Sequence, residues 1–390
     1  MQHHPDPPLI YIVAGETSGD VLGARLMAAL RAARPDLGFA GIGGPAMVAQ
    51  GLDPLVDMQQ LAVMGLLEVI PSLLRLRLLL LATVRDVEHR RPAVLVTIDA
   101  PGFSLRLLQR LRPGVARSGL QRVHYVAPQV WAWRESRVRH FPGLWDRLLC
   151  LLPFEPAYFA AHGLDGRFVG HPVLESGAGS GNAARFRATH ALPPEAKILV
   201  LMPGSRRSEV SRLLPVYAET LSLLARSFPT LVPVVPAAAG VADSVRAATA
   251  GWPVRPLVVT TLADKHDAYA AAAAALTKSG TSTLELALAG VPMAVTYRVN
   301  PLTAAIARHL VRVKFAALVN ILAGREVVPE LIQQRCTPAL LAKTVATLLA
   351  DPAAGQAQRE AFTPLLASLA PPTGSPSEAA AQAILELLPA

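Results

Sequence analysis

The amino-acid sequence predicts an α/β protein made of two doubly wound, parallel-sheet domains, and three observations lead to this fold class. Short apolar runs alternate with longer helical patterns through the first half of the chain. The runs are continuously apolar, which is typical of strands that helices cover on both faces of a sheet. A glycine-rich stretch at 174–183 marks a flexible connection, and a second alternating series follows it.

Strands and helices are predicted in order along the chain. In the first half, strands are predicted at 9–13, 39–42, 94–98, 122–126, 147–151 and 167–169. Helical patterns between them include 21–33, 73–89 and 104–112. In the second half, strands are predicted at 198–202, 231–235, 257–259, 272–276 and 293–296. Residues 338–390 have Ala- and Leu-rich helical patterns, interrupted by a proline-rich stretch at 371–376.

These patterns predict a domain organisation. A Rossmann-like N-terminal domain is expected at 1–173, and a second at 184–345. The C-terminal helices at 346–390 are expected to pack back on the N-terminal domain. Two doubly wound halves joined by a hinge predict a cleft between them. Ligands of such folds bind outside the carboxyl ends of the strands.

The composition excludes several classes of protein. A chain that is 52% hydrophobic and 17% charged is not disordered, and without an uncharged apolar run of 18 residues it is not a multi-pass membrane protein. Cys150 and Cys336 are too few for a disulfide framework or a zinc site. No signal peptide is predicted, so a cytosolic location or the cytosolic face of a membrane is expected.

The net charge of +9 favours acidic partners such as nucleic acid, anionic lipid or phosphorylated substrates. Only five of the 37 basic residues are lysines, and a GC-rich genome produces the same preference for arginine. The charge is therefore a weak guide to function.

Two loops of the first half are candidates for chemistry. The run Gly15-Glu16-Thr17-Ser18-Gly19-Asp20 follows the first strand and opens a helix, so its amides can bind an anion. An ordinary turn with Ser18 or Asp20 as the helix cap explains the same run. Asp99 ends a predicted strand and is a candidate general base, or a turn-capping residue before Pro101.

Two further patterns of the first half are weaker evidence for a ligand-binding site. Residues 41–46 fit the dinucleotide motif G-x-G-x-x-A, but they follow the second strand rather than the first. Trp131 and Trp133 either line a pocket for a sugar or acyl chain or fill a domain seam.

Two small-residue turns of the second half favour a nucleoside diphosphate. Gly204, Ser205 and Arg206 lie between a strand and a helix and suit a diphosphate. Ser279, Gly280 and Thr281 form a similar turn before Glu285, whose carboxylate can accept from two ribose hydroxyls or can cap the helix.

An acidic cluster and a Leu-rich segment raise the questions of a metal site and a lipid contact. Asp264, His266 and Asp267 are expected in a solvated loop, and neither a metal nor another cofactor is expected. The Leu-rich segment at 66–85 either is a buried helix or rests on lipid, with Arg75 and Arg77 reaching the head groups.

Nine motifs in order along the chain resemble one family. They are G-E-T-S-G-D at 15–20, L-A-V-M-G at 61–65, I-D-A-P at 98–101, V-W-A-W-R at 130–134, L-P-F-E at 152–155, G-H-P at 170–172, P-G-S-R at 203–206, S-G-T-x-x-L-E at 279–285 and N-x-L-A-G-R-E at 320–326. Together they resemble the lipid-A-disaccharide synthase family, from about residue 9 to 345.

The resemblance implies a GT-B glycosyltransferase that joins UDP-2,3-diacylglucosamine to 2,3-diacylglucosamine 1-phosphate. It implies an inverting transfer that needs no metal, on the inner face of the cytoplasmic membrane, with an anionic membrane surface rather than nucleic acid as partner. The oligomeric state stays open, with a homodimer as one of the alternatives. Asp99 and Arg206 are then the catalytic residues. The donor UDP binds at Gly204, Ser205, Arg206, Ser279, Gly280, Thr281 and Glu285. The acceptor binds at Gly15, Glu16, Ser18, Gly19 and Asp20.

The chain departs from the family at Gly102, where an acid often follows I-D-A-P, so no second carboxylate can be assigned there. Three other functions remain open on the sequence. They are a GT-B enzyme with a different UDP-GlcNAc-type donor, a non-catalytic nucleotide-binding module, and a dinucleotide oxidoreductase.

Overall fold

The computed structural model describes residues 7–58, 69–111, 119–133, 135–300, 311 and 313–388. The motif at 61–65, residues 66–68 of the Leu-rich segment, and Arg134 lie outside the described residues. Contacts divide the chain into two compact units, one of Met1–Pro172 with Leu369–Ala390 and one of Val173–Ser368.

The first unit is built on a seven-stranded parallel sheet with the order β3-β2-β1-β4-β5-β6-β7. Its strands are β1 (Leu9–Ala14), β2 (Gly38–Gly43), β3 (Asp53–Asp57), β4 (Val94–Ile98), β5 (Gln121–Tyr125), β6 (Arg147–Cys150) and β7 (Gly166–Phe168). Its helices are α1 (Thr17–Ala33), α2 (Pro45–Ala49), α3 (Val69–Arg90), α4 (Pro101–Arg110), α5 (Glu155–Ala160) and, at the end of the chain, α14 (Pro376–Leu385), with a 3₁₀ helix at Glu135–His140.

The strand order reverses between β1 and β4, which lie side by side in the middle of this sheet. All five residues of β4 are buried, and Ala14 pairs with Ile98 at the carboxyl ends of the two strands. The loops that follow β1 and β4 therefore begin next to each other, at the point where doubly wound sheets bind ligands.

The last helix of the chain belongs to this first unit. Helix α14 packs along α1. Arg147 on β6 donates to the carbonyl of Ala383 at 2.7 Å and pairs with Glu386 at 2.8 Å. A buried arginine with a carbonyl and a carboxylate as partners thus fixes the last helix to the sheet.

The second unit has a six-stranded parallel sheet with the order β10-β9-β8-β11-β12-β13. Its strands are β8 (Lys197–Met202), β9 (Leu231–Pro236), β10 (Leu257–Val259), β11 (Ala272–Lys278), β12 (Met293–Tyr297) and β13 (Glu330–Ile332). Its helices are α6 (Ala183–Thr189), α7 (Arg207–Leu224), α8 (Ala242–Thr249), α9 (Leu262–Ala271), α10 (Ser282–Leu288), α11 (Leu318–Ala323), α12 (Pro338–Ala350) and α13 (Pro352–Ser368). Short 3₁₀ helices lie at Ala178–Ser180, Ala239–Val241 and Gln333–Arg335, and a further one at Pro172–Glu175 spans the boundary between the units.

Each strand predicted from the sequence coincides with an observed strand to within two residues at either end. Strands β3 and β13 were not predicted, because they are short and carry acidic residues rather than a continuous apolar run. The glycine-rich stretch at 174–183 packs against α9 within the second unit. A side chain at Gly181 would collide with the carbonyl of His266, so its glycine permits close contact of two backbones.

A buried histidine makes the stability of the first unit depend on pH. His124 on β5 is 1% exposed, and its Nδ1 lies 2.8 Å from the Thr97 hydroxyl. Its ring stacks on Trp145 with centroids 5.4 Å apart. Burial, only partly opposed by the Thr97 hydrogen bond, lowers the pKa of His124 from 6.5 to about 4.

We expect the substitution His124→Phe to reduce the loss of stability in acid. The pKa of the histidine is lower in the folded than in the unfolded chain, so its contribution is complete above pH 6.5 and is lost as the pH falls toward 4. Between pH 7 and pH 4.5, the free energy of unfolding of the variant should fall by roughly 2–3 kcal/mol less than that of the wild type. Urea denaturation at both pH values measures this difference, and equal losses in the two proteins would contradict it.

Candidate functional site

A cavity of about 470 Å³ lies in the second unit, at the carboxyl ends of β8 and β11. The strand order of this sheet reverses between those two strands. Six of the seven residues predicted to bind a nucleoside diphosphate line the cavity, five of them in two turns and Glu285 on α10. They are Gly204, Ser205, Ser279, Gly280, Thr281 and Glu285.

The two small-residue turns have backbone conformations that favour glycine. Gly204 has a φ of +119° and Gly280 a φ of +145°. A side chain at Gly204 would run into the carboxylate of Glu209, which accepts from the amide of Arg206 at 3.4 Å. These turns therefore present bare backbone to the cavity, where amides can approach a phosphate closely.

Two lysines that were not among the predicted site residues also line the cavity. Lys265 Nζ lies 2.7 Å from Glu285 Oε2, and Lys278 Nζ lies 3.0 Å from Glu209 Oε1. Lys278 directly precedes Ser279 in the sequence, so its position beside the second turn was a usable signal. Lys265 lies on α9 and reaches Glu285 on α10 through the fold, which no local pattern shows.

Glu285 is held at the cavity wall by two partners. Its Oε2 accepts from the hydroxyl of Tyr269 at 3.2 Å in addition to contacting Lys265. Burial, with the charge of Glu285 adding to it, raises the pKa of Tyr269 well above its usual value. The phenol therefore stays protonated and donates, which fixes a carboxylate where it can accept from hydroxyl groups of a ligand.

Arg206, the seventh predicted residue, is placed differently. Its side chain is 71% exposed, and its Nη1 lies 3.9 Å from Glu209 Oε1. Among the described residues it is not part of the cavity wall. It precedes the first turn of α7, beside Gly204 and Ser205.

The two predicted loops of the first unit lie together. Gly15 follows β1 and Asp99 follows β4, and these strands end in register. Glu16 and Ser18 are exposed, whereas Gly19 is buried against Ala14 and Ile98. Glu16, Thr17 and Ser18 thus present exposed side chains at this edge, and the half-buried Asp99 lies beside them.

The carboxylate of Asp20 serves another helix. It is 3% exposed and accepts from the amides of Gly44, Ala46 and Met47 at 2.9–3.0 Å. It thereby caps α2, the helix that begins within the G-x-G-x-x-A run at 41–46. The amides that would bind a dinucleotide pyrophosphate are occupied by the chain's own carboxylate, which argues against the oxidoreductase interpretation.

Asp99 and Ala100 form a strained turn. Their φ angles are +46° and +45°, in the left-handed region that residues other than glycine rarely adopt. The amide of Asp99 donates to Tyr125, and its carbonyl accepts from the Ser104 hydroxyl at 2.7 Å. Two such residues cost on the order of 1–3 kcal/mol each, and conformations of this kind cluster at functional sites.

The aromatic pair of the first half is divided between two environments. Trp131 Nε1 donates to Glu155 at 3.1 Å, and its ring meets Phe154 edge to face. Burial, opposed by hydrogen bonds, raises the pKa of Glu155 to about 7. Trp131 is therefore part of the packing of the unit, whereas Trp133 is 43% exposed.

The expectation that Asp264, His266 and Asp267 form a solvated loop was wrong. All three lie on α9, and Asp267 is buried, with its carboxylate bound by Arg185 and the amide of Asn182. A buried carboxylate with these partners joins α6 to α9. Within the described ranges, no group of three or more His, Cys, Asp or Glu side chains is arranged to hold a metal ion.

In the part of the chain that the structure describes, every helix is too short or too polar to cross a bilayer.

Comparison with known proteins identifies relatives along nearly the whole chain. A family model described as Lipid-A-disaccharide synthetase matches residues 10–383. The lipid-A-disaccharide synthase of Gluconobacter oxydans is 60% identical over 97% of this chain and 91% of its own length. The synthase of Granulibacter bethesdensis is 58% identical over 98% of this chain and 99% of its own length. The synthase of Pseudomonas aeruginosa is 42% identical over 97% of this chain and 98% of its own length.

Solved structures with low sequence identity share the fold. UDP-GlcNAc 2-epimerase from Neisseria meningitidis, bound to UDP-GlcNAc, has a TM-score of 0.64 at 11% identity and covers 97% of this chain and 98% of its own. The glycosyltransferase of kitacinnamycin has a TM-score of 0.61 at 18% identity, with coverage of 99% and 100%.

Proposed function

The chain belongs to the lipid-A-disaccharide synthetase family of GT-B glycosyltransferases, and we propose that its substrates are UDP-2,3-diacylglucosamine and 2,3-diacylglucosamine 1-phosphate. The products are the β-1,6-linked disaccharide 1-phosphate and UDP. The observation that carries the proposal is the cavity at β8 and β11, because two glycine turns and a fixed carboxylate there match the parts of a nucleoside diphosphate.

The donor binds in this cavity. Its diphosphate lies at Gly204, Ser205 and Arg206, where the N-terminus of the 18-residue helix α7 favours negative charge. Its ribose lies near Glu285, whose carboxylate accepts from the two hydroxyls. The turn at 279–281 supplies further amides.

The acceptor binds the first unit at the edge formed by β1 and β4. Gly15, Ser18 and Gly19 supply backbone amides and a hydroxyl to its phosphate, and Glu16 contributes an exposed carboxylate. Asp20 supports this loop through the capping bonds it accepts from α2.

The transfer is a single displacement with inversion. The 6-hydroxyl oxygen of the acceptor attacks C1 of the donor sugar, and its proton passes to the carboxylate of Asp99. The bond between C1 and the β-phosphate oxygen breaks, and its electron pair leaves with UDP. Arg206 and the amides of the glycine turns stabilise the charge that develops on the diphosphate.

Mass spectrometry of the products tests this function. Wild-type protein incubated with both substrates should form the disaccharide 1-phosphate and UDP, whereas a parallel reaction with UDP-GlcNAc should form no disaccharide. Product only from UDP-GlcNAc would indicate a different GT-B enzyme. UDP binding without turnover of any acceptor would indicate a nucleotide-binding module.

The protein acts on the inner face of the cytoplasmic membrane, and α3 touches the lipid. Leu74 and Leu78 are 61% and 59% exposed, and Arg75 and Arg77 lie exposed beside them. Leu79 and Leu80 on the same helix are buried, so α3 has both a core face and an exposed apolar face. Exposed leucines beside arginines suit a lipid surface with anionic head groups.

Replacing Leu74 and Leu78 together by serine should weaken binding to anionic vesicles by about tenfold or more, because each leucine loses a part of the roughly 1.5–3 kcal/mol that full burial of its side chain would contribute. UDP binding should be unchanged. Vesicle sedimentation measures the effect, and Leu223→Ser, an exposed leucine on α7, is the matched control. Unchanged sedimentation of a folded double variant would contradict the lipid contact.

A further inference from the structure

We propose that Lys278 contacts the diphosphate of the donor and stabilises UDP as it leaves. This inference rests on the proposed function, because it assumes that the nucleotide occupies the cavity. Lys278 is the last residue of β11, lines the cavity, and has a side chain that is 23% exposed. It is thus open to a ligand while most of its length is enclosed by protein.

The ammonium of Lys278 lies between the two glycine turns. The nearest atom to a Cβ added at Gly280 would be Lys278 Nζ, at 4.0 Å. On the other side, Nζ contacts Glu209 at 3.0 Å, and the same carboxylate accepts from the Arg206 amide beside Gly204. Lys278 therefore lies beside both turns, within 4.0 Å of a side-chain position at Gly280 and one carboxylate away from the Arg206 amide.

The other cations of the region are less well placed for a phosphate. Lys265 pairs with Glu285, on the ribose side of the proposed site and away from the turn at Gly204. The side chain of Arg206 is 71% exposed and outside the cavity wall. Lys278 is the lining cation beside the turns, and a diphosphate that leaves water needs such a charge close to it.

Glu209 positions this lysine without using all of its donors. An ammonium group has three hydrogen-bond donors, so it can keep its contact with Glu209 and donate the others to phosphate oxygens. When the bond between C1 and the β-phosphate oxygen breaks, negative charge increases on that oxygen. A cation already in place stabilises the leaving diphosphate without reorganising, so Lys278 should affect kcat as well as affinity.

Calorimetric titration with UDP and with uridine tests the contact. Lys278→Met should weaken UDP binding by about 10- to 100-fold, as expected for loss of a charge-assisted hydrogen bond, and leave uridine binding unchanged. Lys278→Arg should restore most of the UDP affinity. Lys343→Met, at an exposed lysine on α12, should behave as the wild type. If Lys278→Met does not fold, Lys278→Gln takes its place.

A double variant distinguishes two roles of Lys278: direct contact with the phosphates, and neutralisation of the negative charge of Glu209. In Lys278→Met with Glu209→Gln, UDP should still bind weakly if the ammonium touches the phosphates. Recovery of wild-type affinity would overturn the proposal, since the lysine would then only mask a carboxylate.

A further variant separates this proposal from the proposed function. Glu285→Gln should weaken UDP and uridine alike. If it does so while Lys278→Met leaves the UDP-to-uridine affinity ratio unchanged, the cavity binds the nucleotide and the role of Lys278 is wrong. Absence of UDP binding to the wild type would overturn both.

Discussion

Asp99→Asn should lower kcat by a factor of about 10² to 10⁴, the usual effect of removing a general base. The acceptor hydroxyl is a poor nucleophile until its proton is taken, and an amide cannot take it. Asparagine is the appropriate probe because Asp99 has a φ of +46°, a conformation that asparagine tolerates better than most residues. The backbone bonds of the turn to Tyr125 and Ser104 should therefore persist.

Steady-state kinetics with saturating donor and acceptor measures this effect, and calorimetry should show unchanged UDP affinity, since the nucleotide is proposed to bind the other unit. Glu16→Gln is the comparison variant, because Glu16 is an exposed carboxylate on the neighbouring loop. Near-normal kcat in Asp99→Asn with a large loss in Glu16→Gln would move the base to that loop. Asp20→Asn is less informative, since weakening the cap of α2 would also destabilise the fold.

The sheets could be predicted from the sequence because their strands are buried on both faces. Val94–Ile98, for example, is an unbroken apolar run that is buried throughout. Strand β13 could not be predicted, because it begins with Glu330, whose carboxylate is buried only through bonds from the amides of Ala316 and Ala317 and from Asn320. Such partners come from other parts of the chain, so local hydrophobicity carries no sign of them.

In the candidate site, the turns could be predicted from the sequence, but the side-chain contacts between separate elements could not. Small residues that follow a strand and precede a helix are a local signal, and the turns at Gly204 and Gly280 both line the cavity. The carboxylate of Asp20 carried the same local signal, yet it caps a helix that begins 25 residues later. The ion pairs of Lys265 and Lys278 also join separate elements, so only the folded chain shows that they border the site.

Arg206→Ala should weaken UDP binding and slow turnover, each by about 10- to 100-fold, if the guanidinium closes on the donor diphosphate. The contacts it would lose are charge-assisted hydrogen bonds worth about 1.5–3 kcal/mol. This range is an upper limit. The side chain is 71% exposed, so ordering it on the phosphates costs conformational entropy that reduces the net gain in binding free energy. Because the amide of Arg206 already bonds Glu209, alanine keeps the backbone of the turn.

The measurement is UDP calorimetry together with kcat, and Arg226→Ala, at an exposed arginine past the other end of α7, is the control. If Arg206 and Lys278 bind the same diphosphate, the double variant Arg206→Ala with Lys278→Met should lose more affinity than either single variant, while uridine binding stays unchanged. Two neighbouring cations on one ligand interact, so their losses need not add. Unchanged UDP affinity and turnover in Arg206→Ala would show that the exposed guanidinium does not reach the donor, leaving Lys278 and the backbone amides to bind the diphosphate.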